Sequence, residues 1–353
     1  MSGVASFQIN YTQYLNESSD SVQTLPDFAN DDALIVMYRM MVLTRTFDKK
    51  AISLQRTGKM GTYPSSLGQE AISVAIGSVM QPDDVLFPYY REYGAQFLRG
   101  VKMEEILLYW GGDERGMNYE GPRKDFPICV PIATHAPHAV GVAYAMKLRN
   151  EKRVAVFVCG DGATSKGDFY EAINAAGLWN LPVVFVVNNN QWAISVRREI
   201  QTGSQTIAQK AIAAGFDGEQ VDGNDIVAVR DRFQAAMDKA RAGNGPTLIE
   251  AITYRLCDHT TADDATRYRS EEEVNKHWET EPVTRLKKYL MAKGAWDEQK
   301  ESALEAECAQ KVEDAVNVYL NTPAQPVESI FEYMFEQMPH DLVRQSQSIK
   351  GSK

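Results

Sequence analysis

Apolar and polar positions along the chain change their period several times. From Ala33 to Gly58 apolar residues recur every third or fourth position, which predicts one or two amphipathic helices. Gly61 to Ser66 interrupts that period and Gly68 to Met80 resumes it. Asp83 to Tyr90, closed by Pro88, predicts a short buried strand running into a loop. The middle of the chain differs in kind. Arg153 to Cys159 and Pro182 to Val187 are compact apolar runs, separated by helical spacing from about Asp168 to Asn180. Strand, helix and strand in that order form a parallel crossover unit. Farther on, Asp225 can cap a helix predicted to run through Ala242, Gly243 to Pro246 turns the chain, and Thr247 to Tyr254 reads as another strand. From Glu271 onward the pattern is helical and charged.

The alternation predicts an α/β fold, a parallel sheet with helices on both faces. A polar, extended N-terminal arm (1–32) leads into one domain over 33–342 that includes the C-terminal helices. Residues 343–353 are expected to be a disordered tail. No internal repeat is present.

Composition narrows the partners. The 353 residues carry 37 Lys and Arg against 47 Asp and Glu, a net charge of −10, with no long basic block. That balance argues against nucleic acid or an anionic membrane. Mean hydropathy is −0.35, and the apolar runs fall well short of the roughly 20 residues a bilayer span needs. Met1 to Gln23 lacks the basic start and apolar core of a secretory leader. Cys129, Cys159, Cys257 and Cys308 lie far apart, which suits reduced thiols in a cytoplasmic protein.

Candidate chemistry gathers at strand ends. In parallel α/β sheets ligands sit beyond the carboxyl ends of the strands. Gly160-Asp161-Gly162 follows one strand and Asn188-Asn189-Asn190 the next, so the crossover brings Asp161 and Asn190 to one edge. Two oxygen side chains with free carbonyls suit a hard divalent cation such as magnesium. The two glycines let backbone N–H groups approach a phosphate at the start of a helix. Either piece alone is more often an ordinary turn; two together at neighbouring strand ends favour a site.

These residues, with Glu171-Ala172, Asn174 and Leu181-Pro182, resemble the thiamine diphosphate motif. Gly68-Gln69-Glu70-Ala71, Tyr90-Arg91-Glu92, Val221-Asp222-Gly223 and Tyr254-Arg255 with His259 extend the likeness. Together they are similar to the alpha subunit of the decarboxylating component of 2-oxo acid dehydrogenase complexes. The resemblance implies a thiamine diphosphate-binding fold. It implies that Asp161, Asn190 and the Trp192 carbonyl bind magnesium, and that the Gly160 turn with the amides of Gly162 and Ala163 meets the diphosphate. Tyr90, Arg91, Arg255 and His259 would surround the diphosphate and the reaction centre, with His259 catalytic. Val130 would meet the aminopyrimidine through its backbone, and Ile132 would wedge the cofactor into a bent form.

No residue here matches the carboxylate that thiamine chemistry needs on its pyrimidine ring. The resemblance places that group on a beta subunit, so the working unit would be an α2β2 heterotetramer. The implied reaction is decarboxylation of a 2-oxo acid followed by reductive acylation of lipoyl groups, carried by the lipoyl domain of the dihydrolipoyl acyltransferase. Pyruvate stands slightly ahead as substrate and a branched-chain 2-oxo acid is the alternative. A non-catalytic scaffold is the reading from another class, and the retained Asp161 and Asn190 argue against it.

The departures are Trp192 where Tyr or Phe is common, Cys257-Asp258 before the loop histidine, and His135 in place of Gln. His135 and His138 are expected to pack or to start a helix. The polar loop around His259 offers little apolar surface, so it is expected to stay mobile until a ligand orders it.

Overall fold

The computed structural model describes residues 4–350. Its main sheet has six strands: β1 (Tyr11–Thr12), β2 (Val85–Phe87), β3 (Ala155–Gly160), β4 (Val183–Asn189), β7 (Asp217–Asp222) and β8 (Thr247–Ile252). Between β4 and β7 a short antiparallel hairpin, β5 (Trp192–Ala193) with β6 (Val196–Arg197), stands apart from it. The sheet order is β1-β7-β8-β4-β3-β2, and every pair in it is parallel.

A parallel sheet covered on both faces must be apolar on both faces. The strands show this residue by residue. Leu86, Val156, Val158, Val184, Val186 and Ile249 enter one core, shared with α1 (Asp31–Arg56), α2 (Glu70–Val79) and the helix Ile226–Arg241. Their neighbours Val85, Phe87, Ala155, Phe157, Val183, Phe185 and Leu248 enter a second core under the helices His135–Leu148 and Gly167–Leu178. Such unbroken apolar runs were legible in the sequence as strands. β7 was not, because its sequence DGEQVD is polar and its first four positions are only partly covered.

Local signals set the helix ends. Asn30 caps α1 by accepting from Ala33 N at 3.0 Å, with Asp31 and Asp32 in the first turn. The expected one or two helices over 33–58 are therefore one. Asp225 caps Ile226–Arg241, accepting from Val227 N at 3.0 Å. The same carboxylate also accepts from Tyr14 N and Leu15 N at 2.6 and 2.8 Å. That double use pins the N-terminal arm, which adds β1 to the sheet edge and buries Leu15.

One expectation needs revision. The tail expected to be disordered from residue 343 is helical, in the helix His340–Lys350; residues 351–353 lie outside the described residues. Val343 N donates to Pro339 O at 3.0 Å, and Leu342, Val343 and Ser346 form its less exposed side. A polar, charged composition concealed a helix that starts after a proline. Helices Tyr93–Arg99 and Met103–Trp110 were also not anticipated.

Close packing makes one helical glycine obligatory and another replaceable. A Cβ on Gly177 would stand 1.9 Å from Ala214 O, whereas one on Gly141 would meet nothing within 4 Å. Gly177→Ala should destabilise the chain by about 3 kcal/mol through overpacking. Gly141→Ala should stabilise it by about 0.5–1 kcal/mol through helix propensity. Urea unfolding of both variants checks the pair, and equal effects would contradict this packing.

Candidate active site

The carboxyl ends of four neighbouring strands, β2, β3, β4 and β8, deliver Tyr89 to Arg91, Gly160 to Ala163, Asn188 to Asn190 and Thr253 to Arg255 to one place. There a cavity of about 170 Å³ is lined by Tyr90, Arg91, Ile132, Gly160, Asp161, Gly162, Ala163, Asn190, Trp192 and His259, among others. Ten of the sequence-derived candidates are thus brought together. Arg255 lies just behind the lining, on Trp192 and His259. Val130 is exposed at the rim, beside the lining residue Cys129.

Asp161 is buried, and its Oδ2 has no hydrogen-bond partner. Burial pushes its carboxyl up to about 6, with the Arg255 guanidinium and backbone donors opposing. A buried anion with a free lone pair is the feature a cation would satisfy. Beside it, Asn190 is oriented by its amide. Nδ2 donates to Gln69 Oε1 at 3.1 Å, while Oδ1 accepts from Trp192 N at 3.2 Å. The Trp192 carbonyl accepts from Arg255 Nη1 at 3.3 Å and has a second lone pair. Among the described residues no cluster of three His, Cys, Asp or Glu side chains is present. One carboxylate, one amide and carbonyl oxygens form a donor set for magnesium rather than zinc.

The turn after β3 is braced from outside. Lys210 Nζ donates to the Thr164 carbonyl and hydroxyl at 2.8 and 2.9 Å, and Gln201 Nε2 donates to Asp161 O at 3.1 Å. Gly162 is required here, since its Cβ would fall 2.6 Å from Ala193 Cβ in the β5–β6 hairpin. Neither Lys210 nor Gln201 carried a signal in the sequence, because both lie outside the motif and reach it through the fold.

Two buried guanidiniums stand in the same site. Arg91 donates to Ser65 O and, at 2.7 Å, to His259 O. Arg255 donates to Trp192 O, to Ile194 O at 2.7 Å and to the Tyr268 hydroxyl at 2.8 Å. Carbonyls solvate these cations without neutralising them. Burial, then Arg91, lowers the affinity of Arg255 for its proton. Both arginines also reach His259 Nδ1, at 3.2 and 3.3 Å. Arginine can only donate, so Nδ1 accepts and the proton sits on Nε2. Burial and the two cations press the imidazole down to about 3.

The loop expected to be loose is cross-tied. Arg269 is buried and donates to the carbonyls of Arg255 and Cys257, Asp263 accepts from His259 N at 2.9 Å, and Asp258 accepts from Ala265 N at 2.9 Å. Its polar residues satisfy one another, which composition alone did not reveal. The expectation that it needs a ligand for its order finds no support in this bonding.

His135 starts its helix as anticipated and packs on Phe157 with ring centroids 4.5 Å apart. It also lines the cavity, with Nε2 bound to Val158 O at 2.8 Å and Nδ1 unpartnered. Backbone strain collects nearby: Ala133, Gln191 and Ile194 have φ of 61°, 71° and 56°. Non-glycine residues held there store strain, a common trait of functional sites.

A parallel α/β sheet whose carboxyl edge carries an orphaned carboxylate, together with guanidiniums that lack a carboxylate partner among the described residues, belongs to a class of folds able to hold a charged ligand there. Comparison with known proteins makes that class specific. The chain matches the dehydrogenase E1 component family over residues 38–328. It is 40% identical to a pyruvate dehydrogenase E1 component subunit alpha of Acholeplasma laidlawii, covering 90% of this chain and 93% of that one. It is 39% identical to a 3-methyl-2-oxobutanoate dehydrogenase subunit alpha of Mycobacterium tuberculosis, over 91% and 88% of the two chains. A pyruvate dehydrogenase E1 component subunit alpha of Staphylococcus aureus is 40% identical, over 96% and 92%. The chain belongs to the dehydrogenase E1 component family and is an oxidoreductase of the 2-oxo acid dehydrogenase type.

With its imidazole held neutral, His259 should not titrate between pH 5 and 8. Its ring ¹H–¹⁵N resonances should stay constant over that range in the isolated chain, with the proton on Nε2. A titration step near pH 6.5 would contradict the two-arginine environment.

Proposed function

We propose that this chain is the alpha subunit of a pyruvate dehydrogenase, bound to a beta subunit as α2β2 in the cytoplasm. It would decarboxylate pyruvate and reductively acylate the lipoyl domain of a dihydrolipoyl acyltransferase. The observation that carries the reading is Arg91 and Arg255, buried without a carboxylate partner among the described residues, in the same site as the orphaned Asp161. Diphosphate with one magnesium is still anionic, and paired guanidiniums are its natural counter-charge. The names of the relatives agree. Action on 3-methyl-2-oxobutanoate is the second reading, favoured by the Mycobacterium tuberculosis relatives at nearly the same identity.

In this reading Asp161, Asn190 Oδ1 and the Trp192 carbonyl hold magnesium, and the amides of Gly162 and Ala163 meet the diphosphate. Tyr90, Arg91 and Arg255 complete the anion site. The Val130 backbone and the Ile132 side chain would position the cofactor rings. Thiamine diphosphate, when bound, supplies the electron sink for decarboxylation. His259, neutral with Nε2–H, can donate a hydrogen bond to the diphosphate or to a substrate carbonyl, but it is too weak a base to accept a proton at neutral pH. Its neutrality also keeps a third positive charge out of the site.

Three measurements test the proposal. The co-expressed alpha and beta subunits should turn over pyruvate faster than 3-methyl-2-oxobutanoate, and the alpha chain alone should be inactive. The reverse preference would move the assignment to the branched-chain reading. Asp161→Ala should weaken thiamine diphosphate–magnesium binding by about ten-fold or more, as loss of a metal contact does; calorimetry on the tetramer reads this, and unchanged affinity would remove Asp161 from the metal site. His259→Ala should spare decarboxylation, followed with an artificial electron acceptor, more than acyl transfer to lipoyl domain. Equal losses would deny His259 a part in the transfer step.

A further inference from the structure

The polar network beneath the cavity contains one carboxyl group that the function above leaves without a task. Glu92, the residue before the helix Tyr93–Arg99, is completely buried. Its Oε1 accepts from Asn188 Nδ2 at 2.8 Å, and its Oε2 has no partner. Among the described residues no lysine, arginine or histidine pairs with it. The titratable groups around it are the Tyr89 hydroxyl, after β2, and the Cys159 thiol, on β3; neither is a cation. Two more acceptors nearby lack donors: Asn188 Oδ1, and Gln96 Oε1 one turn along the same helix.

An ionised carboxylate would be a buried charge held by a single amide donor. A protonated one supplies a donor where unpartnered oxygens stand. The cost of charging a buried acid acts the same way, holding this carboxyl up to about 8 despite the Asn188 amide.

From Glu92 a continuous chain of hydrogen bonds leads to the proposed metal ligand. Asn188 Nδ2, held by Glu92, also reaches the Tyr89 hydroxyl at 3.0 Å. That hydroxyl donates to Gln69 Oε1 at 3.2 Å, the same oxygen that receives Asn190 Nδ2 at 3.1 Å. With Nδ2 committed to Gln69, the Asn190 amide can only turn its Oδ1 the other way. We propose that Glu92 is a positioning residue that works as an uncharged carboxylic acid: it anchors the Asn188–Tyr89–Gln69 chain that orients Asn190, and leaves Asp161 as the anion of the metal site. The Asn190 part rests on the function proposed above; the uncharged acid does not.

The test uses the α2β2 complex with wild-type, Glu92→Gln, Glu92→Met and Glu92→Ala alpha chains. Thiamine diphosphate with magnesium is titrated by calorimetry, and unfolding midpoints without cofactor are measured from pH 5 to 8.5. Glu92→Met, close in size but unable to hydrogen-bond, and Glu92→Ala should each weaken binding by about ten-fold, the scale of losses for residues that orient a metal ligand. Glu92→Gln, a neutral donor and acceptor, should recover most of that loss. In the unfolded chain the carboxyl ionises near its ordinary value, and in the folded chain only near 8. Wild type should therefore lose more stability than Glu92→Gln as pH rises from 5 to 8, since the variant lacks this one group's share of the slope. The midpoint advantage of Glu92→Gln should grow across that window and then level off.

A pH-independent difference would mean that Glu92 is ionised and would overturn the uncharged acid. Stabilisation by potassium or sodium, lost in Glu92→Gln, would overturn it too, by putting a cation where the proton is placed. Wild-type affinity in Glu92→Met, or a Glu92→Gln as weak as Glu92→Met, would overturn the positioning role. If no chain, wild type included, bound thiamine diphosphate, the proposed function would fall and the positioning role with it. The unfolding series would still decide the uncharged acid.

Discussion

A parallel sheet covered on both faces leaves its chemistry nowhere to go but the strand ends. Successive residues of β3 and β4 pass alternately into two separate apolar cores, so a polar group at their middle would be stranded without a partner. Parallel strands also end on the same side, which brings every residue that follows one of them to a common edge. Tyr89 to Arg91, Asp161, Asn188 to Asn190 and Arg255 are neighbours for that reason alone, although up to 166 positions separate them along the chain. The helices, the caps and the pinned N-terminal arm all serve to keep that sheet covered.

The edge so formed is charged in an unusual way. Arg91 and Arg255 are held by the carbonyls of Ser65, Trp192 and Ile194, and they converge on one imidazole nitrogen. Asp161 Oδ2 remains unpaired in the lining of the same cavity. Separate buried charges cost more than a closed ion pair, and strained backbone at Ala133, Gln191 and Ile194 adds a second cost in the same region. A site kept charged but unpaired can accept a ligand that carries both signs, as the proposed diphosphate with its metal does. His259 shows how far this environment overrides intrinsic chemistry: a side chain that usually titrates near neutrality is held uncharged by burial and by its two cationic neighbours.

Much of this was written in the sequence. The apolar runs that became β3, β4 and β8, the helix capped by Asp225, and the strand-end motifs at Gly160 and Asn188 are local patterns, and local patterns are fixed by residue order. They were enough to identify the fold class, the candidate ligands and the family resemblance. What escaped was decided by contacts between distant segments. β7 is a strand because it pairs with β8 and β1, not because DGEQVD prefers to be one. The His259 loop owes its order to Arg269 reaching back to the carbonyls of Arg255 and Cys257. Lys210 and Gln201 brace the Asp161 turn from another part of the chain. A sequence records which groups are available, and so determined the chemistry this edge can hold. Which of those groups are buried, paired or left without a partner depends on solvent exclusion and on neighbours remote in the chain, and only the tertiary structure decided that.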